Sequence, residues 1–313
     1  MVNYNPNFKI TIMKSNRRQF LKKSAVTTAG IGVVSSFPLV KLFQQEPGLK
    51  ISLAEWSLHK ALFAGTITNL EFPRMAARDF GIFGVEYVSA FFEGTKPQYI
   101  SELNKVAKDN QVENILIMVD NEGDLGALYK PARIQAVERH YRWVDAAREL
   151  GCHSIRVNAH GTGTETEVAD AAVDGLGRLS EYGEKAGINV IVENHRGYSS
   201  NGKWISGVIT RVSKKNCGTL PDFGNFSISD KEEYDRYLGV TEMMPFAKGV
   251  SAKSYDFDSQ GNDTRIDYYK MLSIVKDSGY RGFIGIEYEG NGLTEKEGII
   301  ATKKLLEKVI SQL

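Results

Sequence analysis

Apolar positions along this chain change their period at regular intervals. Short runs dense in Val, Ile, Leu, Phe and Tyr begin near Ile51 (ISLAEW), Gly84 (GVEYVS), Asn114 (NILIMV), His153 (HSIRVN), Ile188 (INVIVEN), Cys217 (CGTLPD), Lys248 (KGVSAK) and Gly282 (GFIGIEYE). Runs of this length and content read as buried strands. Between them the spacing turns helical. Pro131 to Leu150 carries Ile134, Val137, Tyr141 and Val144 on one face, and Gly151 stands where that helix should end. Gly81, Gly187 and Gly279 end three other helices ahead of a strand, and Thr294-x-x-Glu297 is a capping-box pattern opening a last helix that runs to the C-terminus.

The strand starts lie 33, 30, 39, 35, 29, 31 and 34 residues apart, and the eight units fill residues 51–313, 263 in all. One strand, one helix and two loops need roughly 30 residues or more. Eight of them predict an α/β fold, the (β/α)8 TIM barrel, as a single domain, for which about 250 residues is typical. A helical solenoid of similar period is excluded, because each repeat contains a strand in place of a second helix. A doubly wound dinucleotide fold lacks its glycine fingerprint; the nearest approach, Gly161-Thr162-Gly163, has no third glycine.

Residues 1–48 read differently, as an export leader or flexible N-terminal segment, with the barrel at 49–313. Asn16-Arg17-Arg18-Gln19-Phe20-Leu21-Lys22-Lys23 precedes a mildly apolar stretch from Ala25 to Phe43. A twin arginine, Phe-Leu-Lys and a weak apolar region resemble a twin-arginine export signal, which implies a periplasmic protein, or a cytoplasmic one where the leader does not function. The mature start is expected near Glu46 to Lys50. No stable membrane anchor is expected, since about 20 strongly apolar residues are needed and this run holds Ser, Thr, Gly and Pro.

Composition narrows the chemistry. Lys plus Arg number 39 and Asp plus Glu 38, a net charge of +1, so no bulk field points to nucleic acid or an anionic membrane. Two cysteines, Cys152 and Cys217, are too few for a disulfide framework or a thiolate zinc site, and five histidines exclude any centre needing many imidazoles. A metal here has to be held mostly by carboxylates.

Barrels of this kind carry their chemistry at the C-terminal ends of the strands. Those ends read Glu55-Trp56, Glu86 within strand 2, Asp120-Asn121-Glu122, Arg156 with Asn158 and His160, Glu193-Asn194-His195-Arg196, Asp222 to Asn225, Ser251 with Lys253, and Glu287-Tyr288-Glu289. A carboxylate at the end of an apolar strand is costly unless paired or bound to a cation. Glu193, Asp222 and Glu287 do this on three strands and suggest a shared divalent metal ion: Mg or Mn from the hard oxygen set, Zn or Co if a histidine joins. The alternative is internal pairing with Arg156, Arg196 or Lys253.

The order and spacing of Val192-Glu193-Asn194-His195, Asp222-Phe223-Gly224-Asn225, the Lys253 strand and Gly282 to Glu289 resemble the xylose isomerase-like TIM-barrel family, the sugar phosphate isomerase/epimerase and endonuclease-IV-like superfamily. The resemblance implies that Glu193, Asp222 and Glu287 are metal ligands. It also implies a fourth ligand, a histidine two residues before the strand-7 lysine, where this chain has Ser251. The activity implied is a metal-dependent sugar isomerase or epimerase, working by proton abstraction beside a carbonyl through an enediolate. Catalytic roles then fall to Glu193, Glu287, Lys253 and His195, and substrate binding to Glu86, Arg156, Asn158, His160, Asn225, Trp56 and Glu289. A lyase on an oxidised keto-sugar uses the same enolate. A non-catalytic carbohydrate-binding barrel is the reading in which Ser251 marks a degenerate metal site. An abasic-site nuclease is excluded by charge and histidine count. The partner expected is a small-molecule sugar, an unphosphorylated or oxidised one if the chain is exported; a homo-oligomer is compatible with all of this.

Four secondary expectations complete the reading. Trp204 and Phe91-Phe92 are candidates to stack on a sugar. The acidic segment Asp256 to Asp263 is expected to form the strand-7 loop and to line the site. Gly290-Asn291-Gly292 is a weak candidate anion cradle at the start of the last helix. His59, His140 and His153 are expected to stand outside the chemistry.

Overall fold

The computed structural model describes residues 48–313; the twin-arginine motif and the rest of the leader lie outside the described residues. Eight barrel strands follow in order: β1 (Lys50–Ala54), β2 (Gly84–Val88), β3 (Glu113–Met118), β4 (Ser154–Val157), β5 (Asn189–Glu193), β6 (Cys217–Leu220), β7 (Val250–Ser254) and β8 (Phe283–Tyr288). Every neighbouring pair in the sheet is parallel, in the order β6-β5-β4-β3-β2-β1-β8-β7. The two outer strands then meet through isolated parallel bridges, Thr219 with Ala247 and Asp222 with Ser251. The Ser251 N–H donates to Pro221 O at 2.9 Å and the Phe223 N–H to Ser251 O at 3.1 Å. These bonds form the seam that shuts the cylinder.

Eight helices alternate with the strands: α1 (Phe72–Phe80), α2 (Pro97–Asp109), α3 (Lys130–Leu150), α4 (Glu165–Ala186), α5 (Gly202–Val212), α6 (Arg236–Met243), α7 (Tyr268–Asp277) and α8 (Glu295–Ile310). Gly151 ends α3 at φ 79° and Gly187 ends α4 at φ 72°, left-handed conformations that favour glycine and turn the chain toward the next strand. The capping box of α8 forms as its pattern predicts: the Thr294 N–H donates to Glu297 Oε2 at 3.0 Å while the Glu297 N–H donates to Thr294 Oγ1 at 3.3 Å. Among the elements absent from the sequence reading are a short helix at His59–Phe63 and a hairpin pairing Ser227–Ser229 with Glu232–Glu233. Both are too short to impose a period of their own.

The cylinder's interior divides by chemistry. Ala54, Val88, Leu116, Met118, Ile191 and Leu220 fill one part with apolar packing, each large side chain contributing about 1.5–3 kcal/mol. The rest is polar: Ser52, Glu86, Arg156, Glu193, Ser251, Lys253 and Glu287 are all buried. Charges in such a place persist only when paired or ligated, so the barrel's own packing directs attention to them. Among the described residues no helix is long and apolar enough to cross a membrane.

Candidate active site

Three carboxylates converge where β5, β6 and β8 end. Glu193 is the last residue of β5, Asp222 stands two residues beyond β6, and Glu287 is the penultimate residue of β8. All are buried, and each offers one oxygen so that the three lie within 4.8 Å of one another. Asn194 fixes the middle one: its Nδ2 donates to the carbonyls of Asp222 and Asn225 at 3.0 and 3.1 Å, and its Oδ1 accepts the Asp222 N–H at 2.7 Å.

Most lone pairs of the trio are assigned. Asp222 Oδ1 accepts the N–H groups of Gly224 and Asn225, each at 2.8 Å, and Oδ2 accepts Ser251 Oγ at 2.7 Å. Glu287 Oε1 accepts Lys253 Nζ at 2.8 Å, and its Oε2 lies 3.1 Å from Ser251 Oγ. Glu193 Oε1 accepts Asn225 Nδ2 at 2.9 Å. Its Oε2 lies 2.9 Å from Arg156 Nε, yet off the hydrogen-bonding direction, so this buried oxygen has no donor. A buried carboxylate oxygen without a hydrogen-bond donor, on a residue that converges with two further carboxylates, fits a hard divalent cation.

The electrostatics agree. Burial pushes Glu193 up to about 8, with Arg156 opposing and Glu287 and Asp222 reinforcing, and it pushes Asp222 up to about 6. Burial works the same way on Glu287, but Lys253 and Arg156 hold it below the ordinary carboxylate range. Burial opposes the charge on Lys253, yet the surrounding carboxylates, Asp222 and Glu287 first, keep it firmly protonated. His195 is held down to about 4, first by burial and then by the charges of Arg156 and Lys253; it is neutral at pH 7.

Two of the trio, Glu193 and Glu287, line a cavity of about 700 Å³ at the C-terminal mouth of the barrel, with Asp222 fully buried behind them, a volume suited to a small organic ligand. Glu193, Glu287, Lys253, His195 and Arg156 share its wall with Asn158, His160, Asn225, Trp56 and Glu289. Arg156 and Asn158 both donate to Asp120 Oδ1 at 2.8 Å. Trp56 Nε1 donates to Glu289 Oε1 at 2.5 Å, and Glu289 Oε2 lies 3.2 Å from Lys253 Nζ. His160 Nε2 lies 2.6 Å from the carbonyl of His195.

Several expectations are corrected. Glu86 is not on the cavity wall: it lies inside the barrel, where its Oε1 accepts Ser52 Oγ at 2.5 Å and Oε2 has no partner. Gly285 gives it room, since a Cβ there would meet both oxygens at 2.5 Å. Trp204 is buried in α5, and Phe92 packs against Tyr87 and Trp143; neither reaches the cavity. Asp256 Oδ1 accepts the N–H groups of Asn291 and Gly292 at 3.1 and 2.7 Å, so the supposed anion cradle is filled by the chain's own carboxylate. The Asp256–Asp263 segment folds on itself and does not line the cavity. His140, expected to be outside the chemistry, touches the cavity from α3 while its Nδ1 lies 2.7 Å from Ala136 O.

Sequence reasoning also missed residues. Asp120 and Asn194 are among the strand-end residues named above but were given no role there, and their polar type was the available signal. Phe63, on the short helix after β1, is 66 % exposed and meets Trp56 and Phe91 edge-on, extending an aromatic wall outward from Trp56.

The barrel matches known structures at low sequence identity. A structure described as a D-tagatose 3-epimerase-like protein superposes with a TM-score of 0.65 at 18 % identity, covering 84 % of this chain and 98 % of the other. A 3-keto-D-glucoside 4-epimerase from E. coli gives a TM-score of 0.66 at 14 % identity, with 83 % and 99 % coverage. The IolI protein with a bound zinc atom gives 0.64 at 15 % identity, with 84 % and 99 % coverage. No curated protein matches the chain in sequence. The family model for the xylose isomerase-like TIM barrel matches residues 75–309. With its strand order, closed seam and strand-end carboxylates in place, the chain belongs to the xylose isomerase-like TIM barrel family.

Proposed function

We propose that the protein is a metal-dependent sugar isomerase or epimerase. The observation that carries this reading is the convergence of Glu193, Asp222 and Glu287 within 4.8 Å, with Glu193 Oε2 buried and without a donor. These three residues would hold a divalent cation, with Ser251 orienting Asp222 and Glu287. Such a cation supplies Lewis acidity toward a carbonyl oxygen and its neighbouring hydroxyl. Among the similar structures, one is described as a 3-epimerase-like protein and another as a keto-glucoside epimerase, which suits a substrate with a carbonyl beside a carbinol.

The chain's own residues supply the proton chemistry. Glu193 and Glu287 project from strands β5 and β8 and take the two sides of the reacting carbon, one removing the proton and the other returning one. Lys253, held between Glu287 and Glu289 at 2.8 and 3.2 Å, keeps its positive charge and stabilises the oxyanion as the C–H bond breaks. Neutral His195 and Arg156 hold substrate oxygens. Trp56 presents its ring to the sugar while its N–H fixes Glu289. Returning the proton to the same carbon on the other face gives an epimer; returning it to the adjacent carbon gives an isomer. No electron acceptor is needed.

The test combines metal content with proton exchange. The wild-type chain, equilibrated with Mn²⁺ and desalted, is expected to retain one equivalent by elemental mass spectrometry and to incorporate deuterium from D₂O beside the carbonyl of a keto-sugar. Glu193→Gln and Glu287→Gln are expected to lose both properties. Wild-type protein that retains no metal at millimolar Mn²⁺ and exchanges no proton would overturn the reading in favour of a carbohydrate-binding barrel.

A further inference from the structure

Arg196 occupies a backbone conformation that its side chain does not favour. It stands in the loop after β5 at φ 62° and ψ 153°, a region restricted almost entirely to glycine. Gly197 follows at φ 59°. The turn is held by Ser199, whose hydroxyl accepts the His195 N–H at 3.2 Å and donates toward the carbonyls of Arg196 and His195 at 2.9 and 3.0 Å. Glycine at 196 would make the same turn without strain, so the backbone gives no reason for an arginine.

The cavity gives one. Arg196 is exposed on its wall together with six carboxylates, Asp120, Glu122, Asp124, Glu193, Glu287 and Glu289. The wall's other two strong cations are engaged, Arg156 with Asp120 and Glu193, and Lys253 with Glu287 and Glu289. Arg196 alone of these three makes no ion pair and no side-chain hydrogen bond among the described residues. Its planar fork of five donors is unspent, one residue from His195 and three from Glu193.

We propose that Arg196 is a specificity-determining residue that binds an anionic substituent of the substrate, the carboxylate of a sugar acid, while the carbonyl end lies at the carboxylate trio. A guanidinium matches a carboxylate with two parallel hydrogen bonds. A dianionic phosphate shares the chemistry but needs more positive charge than one guanidinium supplies in so acidic a cavity. The inference rests on the sugar-binding reading of this cavity.

Arg196→Gly separates the role from folding, because it relieves the strained backbone and is expected to leave the melting temperature equal or higher. Calorimetric titrations of the Mn²⁺-loaded full chain with D-glucuronate, D-glucose and D-glucose 6-phosphate are compared across wild type, Arg196→Gly and Arg196→Lys. Wild type is expected to bind D-glucuronate at least about tenfold more tightly than D-glucose. Arg196→Gly erases that ratio, and Arg196→Lys, which keeps the charge without the fork, retains part of it. Equal binding of the two sugars by wild type, a preference that survives Arg196→Gly, or no binding of either sugar overturns the inference. A larger arginine-dependent preference for the 6-phosphate overturns the carboxylate assignment. Deuterium exchange into keto-sugars is measured on the same samples. Its absence sinks the isomerase reading, while the binding ratio still decides the role of Arg196.

Discussion

The hydroxyl of Ser251 donates to Asp222 Oδ2 at 2.7 Å from the strand on the far side of the barrel seam, with Glu287 Oε2 3.1 Å away. The family resemblance calls for a histidine at this position, and serine instead serves the neighbouring carboxylates as a donor. Removing it leaves Asp222 Oδ2 buried without that bond. Ser251→Ala is therefore expected to lower the unfolding free energy of the metal-free protein by about 1–3 kcal/mol in urea titrations. Losing a group that orients two ligands should also weaken Mn²⁺ binding by roughly tenfold to a hundredfold. Unchanged stability together with unchanged affinity would mean that Ser251 does neither job.

Glu86 gives the protein a pH dependence that can be isolated. Burial pushes its carboxyl from 4.5 up to about 7, with the Ser52 hydroxyl opposing. A carboxyl whose proton affinity rises on folding contributes stability that is fully present below pH 4.5 and is lost as pH climbs through about 7. That contribution amounts to about 3 kcal/mol across the window. Glu86→Gln, which cannot ionise, should lack it. The stability of wild type minus that of the variant is expected to fall steadily between pH 4.5 and about 7; a flat difference would show that Glu86 does not titrate there.

Phe63 tests the aromatic wall. With 66 % of its surface exposed, it has little to do with stability, and Phe63→Ala should alter the unfolding free energy by no more than about 0.5 kcal/mol. If the wall stacks on a sugar, the loss raises KM by roughly threefold to tenfold with kcat little changed. A fall in kcat with constant KM would place Phe63's influence on the chemical step instead.

Much of this architecture is legible in the sequence for physical reasons. The eight strands start within two residues of the expected positions, because apolar runs bounded by glycine and capping residues set their ends locally. The converging trio was legible because a carboxylate closing an apolar strand needs an explanation wherever it occurs. What escaped depends on contacts between distant segments. Asp256 fills the Gly290–Gly292 loop from 35 residues away, and Asn201 caps α5 so that Trp204 turns into the core. Glu86 sits within β2, where its position gave no way to tell the mouth of the barrel from its interior. The strain at Arg196 arises only once Ser199 has closed the turn around it.

The seam between β6 and β7 ties the proposed chemistry to the mechanical integrity of the whole cylinder. Here a few bonds suffice, and one of the two bridges joins Asp222 to Ser251. The carboxylate that would grip the reacting end is thus also the clasp of the barrel. A cation held by Asp222 would bind the folded, closed barrel, so occupancy of the mouth and slow amide exchange along both edge strands are expected to rise together.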